Sequence, residues 1–202
     1  MYIPKANLVT GTNEIVAFMK QFSFATVITA KDNFPTATHL PFIISNRDDK
    51  IVLTSHFAKA NKQWEDIEKE NILTIFSEPH AYISPANYDS QLNVPTWNYV
   101  SVHAYGQGKI ISETDAVFKV LEATINTYEQ AYKLQWDQLP EDYKLKLLNG
   151  IVAFEIVVSD LQAKKKLSQN RSTNEQLKII NSLAVNPDAN AREIARLMKE
   201  QQ

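Results

Sequence analysis

The stretch from residue 51 to residue 64 carries side chains whose types and spacing suit phosphate binding. Ile51–Leu53 is a short apolar run typical of a buried strand, and Lys59–Glu70 is predicted to form a helix. A strand that leads into a helix presents free backbone N–H groups and the positive end of the helix dipole. Four residues add polar donors at this junction: Ser55, His56, Lys59 and Asn61. The sequence therefore predicts a site for a phosphate dianion, with a polar helix cap and a solvated Lys59 as the alternative.

Composition and charge exclude several other kinds of site. The chain has 202 residues, of which 44% are hydrophobic, and a formal net charge of −2, so no overall field favours DNA or an anionic membrane. It has no cysteine, which excludes disulfides, thiolate metal sites and cysteine nucleophiles. Four glycines are too few to assemble a Walker loop or a dinucleotide fingerprint. Because no signal peptide and no membrane-length apolar run is visible, we expect a cytoplasmic protein without a membrane partner.

The order of apolar runs and turn residues predicts a mainly β, α+β protein. Roughly seven or eight strands with short, antiparallel connections suggest a barrel with helical additions. A C-terminal helical pair is predicted at 173–184 and 190–201, where Ile179, Ile180, Leu183, Ile194 and Leu197 form the apolar faces. We expect the barrel domain to span residues 1–171 and the helical extension to span residues 172–202.

A long predicted strand at 96–112 carries an unusual row of aromatic side chains. Trp97, Tyr99 and Tyr105 share one face with Ser101 and His103, whereas small and apolar residues occupy the other face. Such a row suits the rim of a site for a planar, polar ligand, and a cross-strand aromatic ladder is the alternative. For Trp97 itself, packing in the core is the favoured interpretation.

No constellation of catalytic residues is predicted. The four histidines are scattered, and none stands at metal-ligand spacing from a second ligand. Ser101 and His103 share a strand face, but neither an orienting carboxylate nor an oxyanion-hole motif accompanies them. We therefore predict neither a catalytic site nor a metal site, and expect any chemistry to come from a bound cofactor.

Several blocks of the sequence resemble the signatures of the PaiB-type FMN-binding family. They run in order from residue 1 to about residue 172: Met1–Lys5, His39–Phe42, Ser55-His56, Ala58–Asn61, Gln63-Trp64, His80–Pro85, Val94–Val100, Val102–Gly106 and Lys166–Arg171. The chain departs from the family pattern at Lys62, which replaces a usual proline, and at Lys165, which replaces a frequent aromatic residue. Ser55 and Phe57 stand where glycine and leucine are frequent. The resemblance implies an FMN-binding split barrel, FMN at a homodimer interface, and negative regulation of the transcription of protease synthesis and sporulation genes.

The resemblance also implies which residues bind FMN. Related split barrels hold the phosphate where a strand meets the following helix, which corresponds to Thr54, Ser55, His56 and Lys59. Asn61 is expected to bind phosphate or ribityl hydroxyls. The remaining cofactor-binding residues that we predict are His39 on a neighbouring strand, Tyr82, Ser84 and Trp97 over the ring, and Lys166, Gln169 and Arg171 from the second subunit. Lys164 and Lys165 are expected to lie in a solvated basic turn.

Two functions remain open at this point. The first is an FMN-binding repressor that acts on DNA directly or through a regulatory protein partner. The second is an FMN-dependent oxidoreductase or flavin reductase whose regulatory role is indirect. The C-terminal helical pair resembles part of a helix-turn-helix, but we favour two amphipathic helices that pack on the dimer.

Overall fold

The computed structural model describes residues 1–201 and confirms the predicted mainly β, α+β class. The described strands are β1 (Leu8–Val9), β2 (Phe24–Lys31), β3 (Phe34–Pro41), β4 (Ile43–Arg47), β5 (Lys50–Ala58), β6 (Asn71–Phe76), β7 (His80–Ile83), β8 (Thr96–Ile111) and β9 (Ile151–Lys166). The described helices are α1 (Thr12–Gln21), α2 (Thr114–Tyr128), α3 (Lys133–Gln138), α4 (Glu141–Leu148), α5 (Thr173–Ala184) and α6 (Ala189–Lys199). None of these helices is long and apolar enough to cross a membrane.

The chain forms two compact units. The first comprises Met1–Ile15, Phe76–His103 and the chain from Gln162 onward, and the second comprises Val16–Ile75 and Ala104–Leu161. Strands β8 and β9 contribute residues to both units. The boundary between residues 171 and 172 that the sequence suggests stays a prediction.

The second unit contains most of an antiparallel sheet, whose pairing order is β3-β2-β6-β8-β9-β5-β4. Two-residue turns join its hairpins: Asp32 and Asn33 connect β2 to β3, and Asp48 and Asp49 connect β4 to β5. All four residues have positive φ, as primed hairpin turns require, and Asn and Asp tolerate it better than most residues. Among the described strands the path stays open from β3 to β4, so the sheet does not close completely.

Apolar side chains on both faces of the sheet build the core of the second unit. On one face, Leu53 and Phe57 of β5 are fully buried, and the Phe57 ring stacks on Phe154 of β9 with centroids 4.7 Å apart. On the other face, Val117 and Val120 of α2 pack with Ala153 of β9. Helix α2 is therefore held against the sheet by the apolar stripe that its sequence carries.

In the first unit, β7 pairs with β8 and β1 pairs with β9, both antiparallel. Helix α5 begins with a capping box in which Ser172 and Glu175 satisfy each other's backbone N–H groups. Asp188 caps α6 by accepting from the N–H of Asn190. The five apolar residues predicted to be buried in this helical pair are all buried, which confirms the amphipathic packing: Ile179, Ile180, Leu183, Ile194 and Leu197.

The predicted helix at Lys59–Glu70 is wrong. Strand β5 continues to Ala58, which pairs with Ile151, and only a short 3₁₀-helix follows at Lys62–Asp66. Pairing with β9 extends the strand because the N–H of Lys59 still donates to the carbonyl of Gly150 at 2.8 Å. Tertiary pairing thus overrides the local helix preference of the charged segment. The phosphate site predicted at the start of this helix loses its helix dipole.

The predicted solvated turn at Lys164 and Lys165 is also wrong. Strand β9 runs on to Lys166, and Lys164 is 8% exposed. Its ammonium lies 5.1 Å from the ring centroid of Tyr99, and Lys165 forms an ion pair with Glu14. A lysine can be buried in this way because its long stem packs against apolar groups while an aromatic face stabilises the charge.

Candidate functional site

Three predicted phosphate-binding residues lie in sequence on β5, but they do not share one face. Thr54 and His56 are half-buried on the face that carries Ala153 of β9, since His56 lies directly opposite Ala153 in the register. Ser55 points to the core face, is 3% exposed, and donates its hydroxyl to the carbonyl of Pro41 at 2.7 Å. The structure therefore separates Ser55 from the other two residues.

His39 and Asn61 lie on opposite sides of β3. His39 is exposed, and its Nδ1 lies 3.3 Å from the hydroxyl of Thr26 on β2. The side-chain amide of Asn61 donates a hydrogen bond to the hydroxyl of Thr38, the residue before His39 on β3, at 2.8 Å. Because neighbouring residues of a strand point to opposite faces, the structure does not bring His39 together with Asn61.

The segment after β5 is anchored by Gln63, a residue that the sequence analysis did not place in the site. Gln63 is 3% exposed, and its side-chain amide donates to the carbonyls of Val27 and Thr36 at 3.2 and 3.0 Å. Its side-chain oxygen accepts from the hydroxyl of Thr38 at 2.6 Å. These bonds fix the segment against β2 and β3. The only sequence signal for this role was the Gln63-Trp64 pair after a predicted strand. The pair alone does not predict that the Gln63 side chain is buried, because its burial depends on packing against β2 and β3.

Lys59 has a fixed backbone and an ammonium that is free. Its N–H donates to Gly150, and its carbonyl accepts from the indole N–H of Trp64 at 3.1 Å. Within residues 1–201 its ammonium forms neither an ion pair nor a hydrogen bond, whereas the nearby Lys62 is paired with Glu65 at 3.1 Å. An exposed cation on a rigid backbone is available to a ligand.

Lys59 lines a cleft of about 290 Å³ in the second unit, which we call the Lys59 cleft. Its polar lining consists of Lys59, Trp64, Ser112, Thr114 and Asn149, and its apolar lining comes from Ile110, Ile111, Val117, Leu148, Ile151, Val152 and Ala153. Thr114 is the first residue of α2, and the side chain of the preceding Glu113 makes no capping hydrogen bond. The first turn of a 15-residue helix and Lys59 therefore line the same cleft. A helix N-terminus carries a partial positive charge, so α2 offers the cleft the kind of dipole that the sequence placed after β5.

His56 adds a neutral imidazole on this side of the sheet. Its register partner Ala153 lines the Lys59 cleft. Burial lowers the pKa of His56 below its ordinary value, because desolvation penalises the imidazolium. Near neutral pH the ring is therefore uncharged and can both donate and accept a hydrogen bond.

Tyr82 and Trp97 form an exposed aromatic pair in the first unit. They lie directly opposite each other on β7 and β8, with an edge-to-face contact between centroids 5.9 Å apart. Trp97 is 52% exposed, so the expectation that it packs in the core is wrong. His80 lies 5.9 Å from the Trp97 ring and extends this aromatic surface. His80 and Tyr82 are two residues apart on a predicted strand, and this spacing was the sequence signal that could have placed His80 on the same face as Tyr82.

The other predicted residues of the first unit use their polar groups internally. Ser84 accepts from the N–H of Ala86, and Lys166 donates to the Thr96 hydroxyl and to the carbonyl of Trp97. Gln169 donates to the carbonyl of Lys165 at 2.6 Å.

Arg171 ties the loop before β8 to the start of α5. It donates to the side-chain oxygen of Asn93 at 2.7 Å. Its guanidinium lies over the ring of Tyr88, 3.8 Å from the centroid. This arrangement gives Arg171 a structural role in the subunit that contains it.

Comparisons with known proteins were made for both the sequence and the fold. The profile of a family described as "Putative FMN-binding domain" matches residues 1–160. The protease synthase and sporulation protein PAI 2 of Bacillus subtilis is 41% identical over 203 residues, which cover 99% of this chain and 97% of that protein.

Two solved structures share the fold. The flavocytochrome Anf3 from Azotobacter vinelandii has a TM-score of 0.64 at 15% identity, covering 82% of this chain and 72% of that one. An FAD- and heme-binding protein from Mycobacterium smegmatis has a TM-score of 0.63 at 14% identity, covering 85% of this chain and 78% of that one. These similarities confirm the predicted split-barrel fold.

Replacing Gln63 by alanine is expected to lower the free energy of unfolding by about 1–3 kcal/mol, because buried carbonyl and hydroxyl groups lose their partner. Urea unfolding of the variant measures this change. Gln107→Ala is the matched control, since Gln107 is exposed and makes one hydrogen bond, to Asn71. The control is expected to stay within about 0.5 kcal/mol of the parent. Equal losses in the two variants would contradict the anchoring role of Gln63.

The lowered pKa of His56 predicts a pH dependence of stability. The unfolded chain takes up a proton at His56 near pH 6.5, whereas the folded chain resists it, so stability falls as pH drops through that region. His56→Gln is expected to remove this component and flatten the decline between pH 7.5 and 5. Chemical unfolding at several pH values measures it, with the exposed His39→Gln as control. An unchanged profile in His56→Gln would refute the assignment.

Proposed function

The chain belongs to the FMN-binding domain family, and on that premise we propose that the Lys59 cleft holds the phosphate of its flavin cofactor, FMN. The observation that carries the proposal is that Lys59, whose ammonium is free among the described residues, lines the same cleft as the start of α2. A cation and a helix N-terminus that converge on one cleft favour a bound dianion. When bound, FMN supplies electron and hydride chemistry, while the protein supplies position and electrostatics.

The chemistry of the lining supports the phosphate end of FMN as the occupant. Ser112 and Thr114 offer hydroxyls, and Asn149 offers an amide, next to the Lys59 ammonium. Asp115 in the first turn of α2 opposes an anion, which makes the lysine the decisive charge. A volume of about 290 Å³ suits the phosphate and part of the ribityl chain.

We further propose a homodimer with FMN at its interface, as the family resemblance implies. The exposed Tyr82–Trp97 pair supports this proposal, because two half-exposed aromatic side chains on one sheet face favour burial against a ring or a second copy. Ser84, Lys166, Gln169 and Arg171 already bond within their own unit. We therefore assign them to shaping the aromatic surface and its neighbouring loops.

Replacing Lys59 by alanine is expected to weaken FMN binding by about 1.5–3 kcal/mol, or roughly 10- to 150-fold in Kd, through loss of a charge-assisted contact. Quenching of FMN fluorescence on titration with protein measures the Kd. Lys62→Ala is the matched control, since this lysine lies three residues away and is ion-paired with Glu65. The control is expected to bind FMN as the parent does. An unchanged Kd for Lys59→Ala would place the phosphate elsewhere.

For the biological role, we propose transcriptional regulation of the PaiB type, acting through a regulatory protein partner rather than through direct contact with DNA. The relative of 41% identity, named for protease synthesis and sporulation, supports the regulatory role. On α6, Arg196 is paired with Glu193 and Glu200, and Arg192 donates to the carbonyls of Asn186 and Pro187. Since direct DNA binding requires several cations that neutralise phosphates, this engagement argues against a DNA contact by the helical pair.

FMN-loaded protein is expected to cause no retardation of promoter DNA at low salt, because Arg192 and Arg196 of α6 are engaged within the chain. An electrophoretic mobility assay from about 50 to 200 mM salt measures this. Specific retardation with a steep salt dependence would establish direct binding and overturn the partner-mediated proposal. Bleaching of the FMN absorbance by a reduced nicotinamide would instead favour the alternative function, an FMN-dependent oxidoreductase.

A further inference from the structure

We propose that an apolar pocket in the second unit, distinct from the Lys59 cleft, binds a small uncharged molecule with one aromatic ring or a short branched chain. The pocket lies among α2, α3 and α4 and has a volume of about 260 Å³. Neither the phosphate proposal nor the aromatic pair of the first unit uses it. The proposal therefore goes beyond FMN binding.

One wall of the pocket is a face of α2. Leu121, Thr124 and Ile125 line it at the i, i+3 and i+4 positions, which share one side of a helix. Thr124 is the polar member, and its hydroxyl donates to the carbonyl of Val120 at 2.9 Å. Because the Thr124 hydroxyl already donates its proton within the helix, the described residues of this wall offer no free hydrogen-bond donor to a polar ligand.

The opposite wall is formed by residues that follow α2. Tyr132 and Trp136 contribute rings, Leu147 comes from α4, and Ile151 begins β9. Leu147 is 39% exposed, whereas Trp136 is 4% exposed, so the leucine stands near the mouth and the indole forms the interior. Aromatic walls favour a flat apolar guest, since ring contacts add to the burial of area.

Charge selects against ionic ligands. Among the described residues, no acidic or basic side chain lines the pocket. Lys144 lies 5.3 Å from the centroid of the Trp136 ring, and both residues line a separate, charged cleft. A carboxylate or ammonium in the apolar pocket would lose its hydration without gaining a partner.

The size of the pocket selects a small molecule. A closed apolar cavity of about 150 Å³ holds benzene, so 260 Å³ accommodates a substituted single ring. Larger cofactors and drug-sized ligands occupy clefts of about 300–1,000 Å³. Area removed from water is then the main driving force for binding.

Toluene and benzoate provide a matched pair of probes for the full-length protein. Toluene is expected to bind at one saturable site with a Kd of about 1 mM or tighter, as measured by isothermal titration calorimetry. Benzoate has a similar ring but carries a charge, so it is expected to bind at least about tenfold more weakly. Equal affinities for the two probes, or no saturable binding of toluene, would overturn the proposal.

Two substitutions of the same chemistry locate the site. Leu147→Phe fills the pocket and is expected to weaken toluene binding at least about tenfold, whereas Leu134→Phe on α3 leaves it unchanged, since Leu134 is 76% exposed and outside the lining. If Leu147→Phe does not fold, Leu121→Phe on α2 is the second variant that fills the pocket. Unchanged toluene binding in a folded filling variant would contradict the assignment. Lys59→Ala serves as an independent check, because it tests FMN binding without touching this pocket.

Discussion

The pairing of β5 with β9 is the constraint on which the candidate site depends. It runs from Val52 opposite Val157 to Ala58 opposite Ile151 and buries the Phe57–Phe154 stack on one side. The same pairing fixes where β5 ends and directs the N–H of Lys59 to the carbonyl at the start of β9. A lysine at that position has no freedom left in its backbone. The base of its side chain is therefore fixed beside the cleft, while the side chain itself keeps its rotamer freedom until a ligand binds.

Among the described residues, most basic side chains near the candidate surfaces form ion pairs or hydrogen bonds within the chain, and Lys59 is the exception. Lys62 and Lys165 form ion pairs, and Lys166 and Arg171 bond to neighbouring side chains and carbonyls. Surface ion pairs of this kind add little stability, but they do neutralise charge. Lys59 keeps its charge available in a cleft that the start of α2 also lines. The proposal that this cleft binds an anion rests on this contrast rather than on net charge.

Local sequence patterns predicted much of the fold. Alternation along β8 correctly predicted which face is buried, with Asn98, Val100 and Ala104 buried, and the predicted start of the first C-terminal helix at residue 173 matches α5. The helix after β5 could not be excluded from local propensity, because strand pairing with β9 joins residues about a hundred positions apart. The burial of Lys164 depends in the same way on Tyr99, a distant aromatic partner.

For the candidate site too, the sequence predicted what depends on local side-chain chemistry and missed what depends on contacts between distant residues. Lys59 and His56 were predicted as phosphate ligands from their side-chain chemistry alone, which does not depend on where the fold places them. Ser55 was grouped with them, although the twofold alternation of a strand turns it to the other face. The contribution of Thr114 and the anchoring by Gln63 could not be predicted, since each depends on elements brought together only in the folded chain.

Ile151 lines both the Lys59 cleft and the apolar pocket. A single branched side chain in a packed wall cannot relax toward one space without altering the shape of the other. Thermodynamic linkage makes any such effect mutual: if a hydrophobic guest changes the affinity for the anion, the anion changes the affinity for the guest by the same factor. Under the two proposed assignments, Ile151 is a wall shared by the FMN phosphate and an apolar guest, so the binding of each would be sensitive to the concentration of the other.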